Sequence, residues 1–381
     1  MIKFLVVVIA SFLFFSQEPE QSYPETLRIG LYSGYEINGF NFSAIKGEYH
    51  IEDGCGNLIK EVKTHDYVIV KNAKNGLKIK SNNDTLKISD KIYFYGKSFK
   101  NTFLINPLDD SINYRMYDGD IIAKNNSSKL NIINLVPFEN YIAGVVQSES
   151  GFGKHPEYYK LQATVSRTYT IKNLERHKNE GYHLCDQVHC QAYYSKSIYP
   201  EIIFSTEYTR GDIIVDKQGT PINSVFHANC GGYTINSEYL WQNSSSYLKS
   251  IKDSFCIEKP GADWEKSIPK KEFTKYLQNK LGSNYSDSIA EELYNFEQKQ
   301  RQIYLDPYKI IHLGQFRNDF MLRSTFFNIE PKGDSLHLTG RGYGHGVGLC
   351  QEGAMRMAEK GISRDSIIRF YYKNADLNIN D

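Results

Sequence analysis

The sequence has almost no net charge: 45 Lys and Arg stand against 44 Asp and Glu, for a formal charge of +1. A global basic field that would gather nucleic acid is therefore excluded. Long apolar runs are also missing. One run of twelve, "FLVVVIASFLFF", follows Lys3, and no second run of spanning length appears, which excludes a polytopic membrane protein. Cysteine is sparse, with six in 381 residues, at positions 55, 185, 190, 230, 256 and 350. That density excludes a scaffold built on disulfides and leaves local staples, ligands or core residues; full pairing of six could occur in 15 ways. No internal repeat and no low-complexity linker is found, so a repeat array is excluded.

What is present is ordinary for a globular protein: 40% hydrophobic and 23% charged residues, in a length sufficient for two domains. Aromatic content is 14%, carried by 29 tyrosines. Aromatic faces can stack on sugar rings, and they also serve as core, strand and general surface. Residues 1–17 read as a signal peptide, or as an N-terminal anchor left uncleaved, because no small-x-small triplet precedes Gln17. No cysteine stands near the exit to carry a lipid. The expected location is outside the cytoplasm, in the periplasm or cell envelope, with no membrane contact beyond that anchor.

The pattern along the chain predicts an α+β protein: a β-rich N-terminal domain followed by a mixed helix and strand domain with a cleft. Residues 25–125 contain short alternating runs such as "TLRIGLYSG" and "DYVIVKN" between Gly, Asn and Asp, and read as an accessory domain. Residues 130–381 read as the catalytic domain. There, Pro137 and Gly151 bracket a helix whose apolar stripe includes Tyr141, Ile142 and Val145. A second, central helix follows Pro156. Residues 202–235 read as strands. A charged helical insertion is expected at about 265–305, strands at "FFNIEPKGDSLHLTGRG", then a helix over "EGAMRMAEKG", with Ser363 as the N-cap of the next.

Several groups could carry chemistry. Glu149 continues the apolar stripe at the C-terminal end of its helix. Lost solvation and the negative end of the helix dipole would both raise its pKa and suit it to general acid catalysis. The alternative is a glutamate that fans out to solvent. Arg167 lies in a helix with few other charges and needs a carboxylate or a ligand, a structural ion pair being the plain reading. "HLCDQVHCQAYY" brings His183, Cys185, His189 and Cys190 into eight residues, with His177 just upstream. Two thiolates and two imidazoles can complete a closed, structural zinc site; a Cys185–Cys190 disulfide is the other reading. His227 lies on a predicted strand before Cys230 and a Gly231-Gly232 turn.

"GRGYGHGVG" places five glycines at alternate positions from Gly340 to Gly348, beside His345. It does not match G-x-G-x-x-G, whose third glycine would fall on His345, so a dinucleotide site is disfavoured. Alternate glycine in an extended segment would leave one face bare, for close backbone packing or for a ligand such as a glycan.

Four blocks together resemble the stage II sporulation protein D family, which includes the amidase enhancers of bacterial cell-wall enzymes. They are "VPFENYIAGVVQSE", "YYKLQATVSRTYT", "VFHANCGGYTINSEYLW" and "GRGYGHGVGLCQEGAMRMAEKG", in order over about 240 residues from 134 to the end. The family reads Ser-Glu-Met-Pro where this chain has Ser148-Glu149-Ser150-Gly151, and Ser166 stands where alanine is usual. The resemblance implies a peptidoglycan lytic transglycosylase that cuts the MurNAc–GlcNAc bond and leaves a 1,6-anhydro end. It implies Glu149 as the acid and base, and Arg167, Tyr169, His227, Gly344, His345 and Gln351 as substrate residues. It also implies zinc at Cys185, His189 and Cys190, with His183 or His177 as fourth ligand. The partners it implies are glycan strands and, for the enhancer branch, a cell-wall amidase that the protein would stimulate without catalysis of its own.

Overall fold

A computed structural model describes residues 23–81, 84–98, 100–126, 129–241, 243–257 and 262–379. The expected signal or anchor segment, 1–17, lies outside the described residues. The fold is α+β. Its N-terminal half is two sheets whose apolar faces meet, antiparallel except where Leu184–Cys185 pairs parallel with Thr26–Leu31. One has seven strands in the order Leu184–Cys185, Thr26–Leu31, Lys129–Pro137, Asp120–Asn126, Lys91–Gly96, Tyr49–Asp53, Leu58–Val62. The other has six, from Arg115–Asp118 through Gly39–Lys46 to Asp84–Ser89. Strand alternation sends Phe42 and Phe103 from the second sheet and Tyr49 and Phe94 from the first into one aromatic cluster, with Phe42 and Phe94 centroids 4.5 Å apart.

The β-rich region does not stop near residue 125. Lys129–Pro137 is an interior strand of the first sheet, paired on both sides, and it runs directly into helix α1, Phe138–Ser150. Leu184–Cys185 returns to the same sheet beside Ile29 and Gly30. The buried core is continuous from Leu27 in the first strand region to Ala375 near the C-terminus.

Helix α1 ends where the sequence says it should. Pro137 precedes it, and Gly151, at φ 66°, closes it with its N–H on the Gln147 carbonyl. Helix α2, Pro156–Lys172, has its residues from Leu161 to Thr170 buried without a break, which makes it the central rod of the helical half. Its start is capped by the His155 side chain. Helix α3, Pro200–Tyr208, is a correction to the strands expected from residue 202. Its β-branched "IIFST" is overridden by packing against α1 and α2 and by Pro200 in its first turn. In that stretch only Ile213–Asp216 and Phe226–His227 are strands.

The expected charged insertion is larger than its helices. Helices α4, Lys270–Leu281, α5, Asp287–Leu293, and α6, Leu313–Asp319, pack on a three-stranded sheet of Asp263–Pro269, Ser335–Arg341 and Phe327–Lys332. Trp264, Phe273, Phe316, Phe327 and Leu338 belong to a second core of its own. The chain closes with α7, Gln351–Glu359, and α8, Arg364–Tyr371, whose N-cap is Ser363, bonded to the Ser366 N–H. No helix among the described residues is long and apolar enough to cross a membrane.

Candidate active site and metal centre

Glu149 stands in the last turn of α1. Its Oε1 accepts the Ala192 N–H at 2.7 Å. Burial raises its pKa above the usual carboxylate value, and the Ala192 N–H opposes that rise. The segment that supplies Ala192 runs beside the C-terminal half of α1: the Tyr194 N–H bonds Ser148 Oγ, and the Ile198 N–H bonds Gln147 Oε1. The loop after Glu149 is tied back to α2, because Tyr159 donates to the Gly151 carbonyl and accepts from the Lys154 N–H.

Gln351 is the first residue of α7. The buried hydroxyl of Tyr158 on α2 donates to Gln162 Oε1 at 3.2 Å and lies near both the Gln351 side chain and the charge of Glu149. Nε2 of Gln351 is buried and has no hydrogen-bond partner among the described residues. The same is true of Nε2 of His227. One is an amide donor; the other is the acceptor of a neutral ring whose Nδ1–H goes to the Val347 carbonyl; both are costly to leave unused unless a ligand completes them.

His227 and His345 form their own pair, with ring centroids 5.3 Å apart, and Trp241 lies tilted against His345 at 6.2 Å. Nδ1 of His227 meets the Val347 carbonyl, and Nδ1 of His345 accepts the Val347 N–H, each at 3.1 Å. Burial first, and then the nearby His345, hold His227 far below the usual imidazole range. His345 is pushed down to about 4, again chiefly by burial. Both rings are therefore neutral near pH 7. His345 also faces a recess of about 340 Å³ lined by His312, Arg317 and Thr325 from the insertion. Among the described residues its bonds are to backbone, and none is to Glu149.

The glycine run is not an extended strand with a free face. Gly344 takes φ 106°, and a Cβ there would stand 2.9 Å from Cβ of His227; Gly348 takes φ 74°, and a Cβ would meet the Val225 carbonyl at 2.2 Å. At Gly342, Gly344 and Gly348 the space is filled by the chain's own 225–231 segment, and at Gly346 by Arg301 and Ile235. The expectation of a bare face open to a glycan is corrected accordingly: glycine here permits backbone to lie on backbone and fixes His227 against the run. Gly340 belongs elsewhere, under the Trp264 ring in the insertion's sheet.

Arg167 takes the plain reading of the sequence, a structural ion pair, and not the substrate role that the resemblance implies. It is 1% exposed. Its Nε and Nη2 form a fork on Glu139 at 2.9 and 2.7 Å, and its other donors meet the carbonyls of Thr206 and Asp212. A guanidinium satisfied on this many sides is a structural ion pair between α1, α2 and α3, not a free substrate contact. Tyr169 is buried also, with its hydroxyl accepting Arg176 Nη1 at 2.8 Å beside the His/Cys group. Neither is brought to Glu149.

The His/Cys group does assemble. One donor atom each from His177, Cys185, His189 and Cys190 lies within 4.8 Å of the others. Cys190 Sγ is 3.4 Å from His177 Nε2, and His189 Nδ1 is 3.7 Å from both sulfurs. Around a tetrahedral zinc with bonds of about 2.0–2.3 Å, ligand atoms stand roughly 3.3–3.8 Å apart, so the group fits. His177 also turns its Nδ1 to the Glu180 carboxylate at 2.5 Å, the outer contact that holds a metal-bound imidazole in place. Only Arg176, 3.1 Å from Nε2 of His189, would have to turn aside. His183 is not in the group: its Nδ1 accepts the Arg28 N–H at 3.1 Å, since the return of 184–185 to the first sheet faces it away. None of the described cysteines is in a disulfide. Hydrogen bonding from Cys190 pushes Cys185 down to about 4, and Cys185 in turn holds Cys190 above its usual value.

The loop is pinned to the β-rich half by Asp186, fully buried, which accepts the Tyr32 and Ser33 N–H groups and Arg115 Nη1. Two aromatics near Glu149 escaped sequence reasoning. Phe152 is 69% exposed and stacks on Tyr199, with centroids 5.6 Å apart; Tyr194 is 38% exposed and lies in the field of Glu149. High tyrosine content was the only sequence signal for such a platform.

Residues 126–215 match the family model described as SpoIID, stage II sporulation protein. That span includes Glu149, Arg167, Tyr169 and the His/Cys group and stops before His227. The chain is 30% identical over 264 residues to stage II sporulation protein D of Bacillus subtilis (strain 168), covering 64% of this chain and 74% of the relative. It is 27% identical over 269 residues to an uncharacterised protein of Brachyspira hyodysenteriae, covering 68% and 72%. It is 24% identical over 291 residues to the amidase enhancer of Bacillus subtilis (strain 168), covering 62% and 40%.

Proposed function

The chain belongs to the stage II sporulation protein D family, and we propose that it is a peptidoglycan lytic transglycosylase. A role at the cell wall fits the names of its relatives, stage II sporulation protein D and amidase enhancer. The finer reading is that it cuts the MurNAc–GlcNAc bond and leaves a 1,6-anhydroMurNAc end. One observation carries it: Glu149 is a carboxyl with a raised pKa at the end of α1, and among the described residues no second carboxylate contributes to its shift.

Hydrolytic glycosidases use two carboxyl groups, one of which handles water or forms a covalent intermediate. A single carboxyl suits an internal displacement. Protonated Glu149 gives its proton to the glycosidic oxygen as the bond to C1 breaks. The sugar's own 6-hydroxyl then bonds to C1, and the Glu149 carboxylate takes the hydroxyl proton, which restores the starting acid. No water is consumed. The Ala192 N–H holds the carboxylate form at the fixed position that this return step needs. Gln351 and His227 have unused nitrogens for sugar hydroxyls, and Phe152 and Tyr194 offer faces for sugar rings.

Zinc at His177, Cys185, His189 and Cys190 is part of the reading. With four protein ligands it would be a cross-link, supplying rigidity to the segment that carries Ala192 and Tyr194. An N-terminal export signal and envelope location complete the proposal. The test incubates purified glycan strands with the protein and seeks anhydro ends by mass spectrometry; their absence with well-folded protein would remove the catalytic reading.

The similarity to an amidase enhancer supports a second reading, a wall-binding protein that stimulates a partner amidase. On that reading Glu149→Gln would leave the stimulation of the amidase intact.

A further inference from the structure

A second group of ligand-type side chains lies behind the strands Phe226–His227 and Leu349–Cys350, apart from the His/Cys group. Cys230, Asp253, Cys256 and Cys350 are all buried, and one donor atom of each lies within 4.8 Å of the others. Cys230 Sγ is 3.4 Å from Cys256 Sγ and 3.3 Å from Asp253 Oδ2. The four come from three separate stretches: the turn after His227, the 253–256 loop and the N-cap of α7. Nothing in local chain geometry requires them to converge.

Three uses of such a group can be compared. Plain core packing does not account for Asp253, which is fully buried. Its Oδ2 accepts the Tyr371 hydroxyl at 2.9 Å and its Oδ1 the Phe255 N–H at 2.9 Å. Among the described residues no Lys, Arg or His is paired with it by an ion bridge, and a buried carboxylate without a cation is costly. A Cys230–Cys256 disulfide would join two of the sulfurs but leave that carboxylate and Cys350 as they are. A divalent cation at the centre answers all four donors at once.

The surroundings suit a thiolate centre. Cys350 caps α7, and its sulfur accepts the Gly353 N–H at 3.4 Å and the Cys230 N–H at 3.3 Å. Backbone donors at a helix start stabilise a thiolate. Three thiolates and one carboxylate around a divalent ion leave excess negative charge. Arg301 stands beside it, its Nη2 on the Cys230 carbonyl, with no carboxylate partner among the described residues. Sulfur-rich, four-coordinate donor sets select zinc over magnesium or calcium.

We infer that Cys230, Asp253, Cys256 and Cys350 form a closed, four-ligand structural zinc site, separate from the one at His177, Cys185, His189 and Cys190. It would clamp the start of α7, one residue before Gln351, to the turn that follows His227. The inference does not depend on whether the protein cuts glycans.

The test measures zinc per chain by elemental analysis on full-length protein purified with reductant and without chelator. The Cys256→Ser variant is expected to hold one ion fewer than wild type, and Cys185→Ser to keep the Cys256-dependent ion. Equal zinc in wild type and Cys256→Ser overturns the site. So does a thiol-alkylation mass showing Cys230 and Cys256 joined in the fresh wild type. If Cys256→Ser does not fold, Cys185→Ser loaded with cobalt(II) provides the reading: thiolate-to-cobalt charge-transfer absorption is expected, and its absence overturns the site.

Discussion

Glu149 and Ala192 are joined by a 2.7 Å hydrogen bond, and Ala192 stands two residues after Cys190. The proposed acid therefore takes its position from the segment that the His/Cys group folds. Cys185→Ser should lower the melting temperature and also reduce turnover per folded molecule, since the Ala192 N–H loses its support. Cys55→Ser, at an exposed and separate cysteine, should change neither. Calorimetry and product assays on the same preparations check both.

Arg167→Met should destabilise the fold by about 3–5 kcal/mol, because it leaves the Glu139 carboxylate buried without its partner. Urea denaturation measures this. Turnover per folded molecule should persist, as the guanidinium is committed to Glu139 and to backbone. A selective loss of turnover without loss of stability would restore Arg167 to the substrate site.

The pH profile has two parts with opposite signs. Glu149 must be protonated to act as acid, and burial raises its pKa. Turnover should hold at low pH and decline as pH rises through that raised value, giving an alkaline limb above the ordinary glutamate range. His345 has the reverse sign for stability. Its folded value, about 4, lies below its ordinary 6.5. Between those values the unfolded chain binds the extra proton, so stability is full above about 6.5 and is lost as pH falls toward 4. His345→Gln should flatten the stability curve in that window, as measured by denaturation at a series of pH values.

Phe152→Ala and Tyr194→Ala should raise KM about 3- to 10-fold with little change in kcat, in line with about 0.5–1.5 kcal/mol for an aromatic contact. Neither should move stability by more than about 0.5 kcal/mol, as both side chains are exposed. Steady-state kinetics on defined glycan oligomers would separate the two parameters.

Local signals were legible. Pro137 and Gly151 marked both ends of α1, Pro156 the start of α2, Ser363 the cap of α8, and the last hairpin showed its alternation. What the sequence hid depends on distant partners. "IIFST" reads as strand until α1 and α2 are present to pack against it. Arg167 could not declare Glu139, 28 positions away, over a guess at substrate. His177 displaced His183 as a candidate ligand because the 184–185 strand joins Ile29 and Gly30, a pairing with no local signature. The alternate glycines suggested an extended strand, whereas positive φ and the chain at 225–231 turn the run into a tightly packed coil. Glu149 could be singled out as a candidate because its stripe, its helix end and its family block all lie within one short segment.

The central claim is that Glu149 cuts glycan strands without water. Purified strands, incubated with wild type and with Glu149→Gln and analysed by mass spectrometry, test it directly. Wild type should release fragments with 1,6-anhydroMurNAc ends, each one water lighter than the hydrolysed form, and Glu149→Gln should be slower by about 10²–10⁴-fold at unchanged stability. Hydrated ends from wild type, or anhydro ends formed equally fast by Glu149→Gln, would contradict the account.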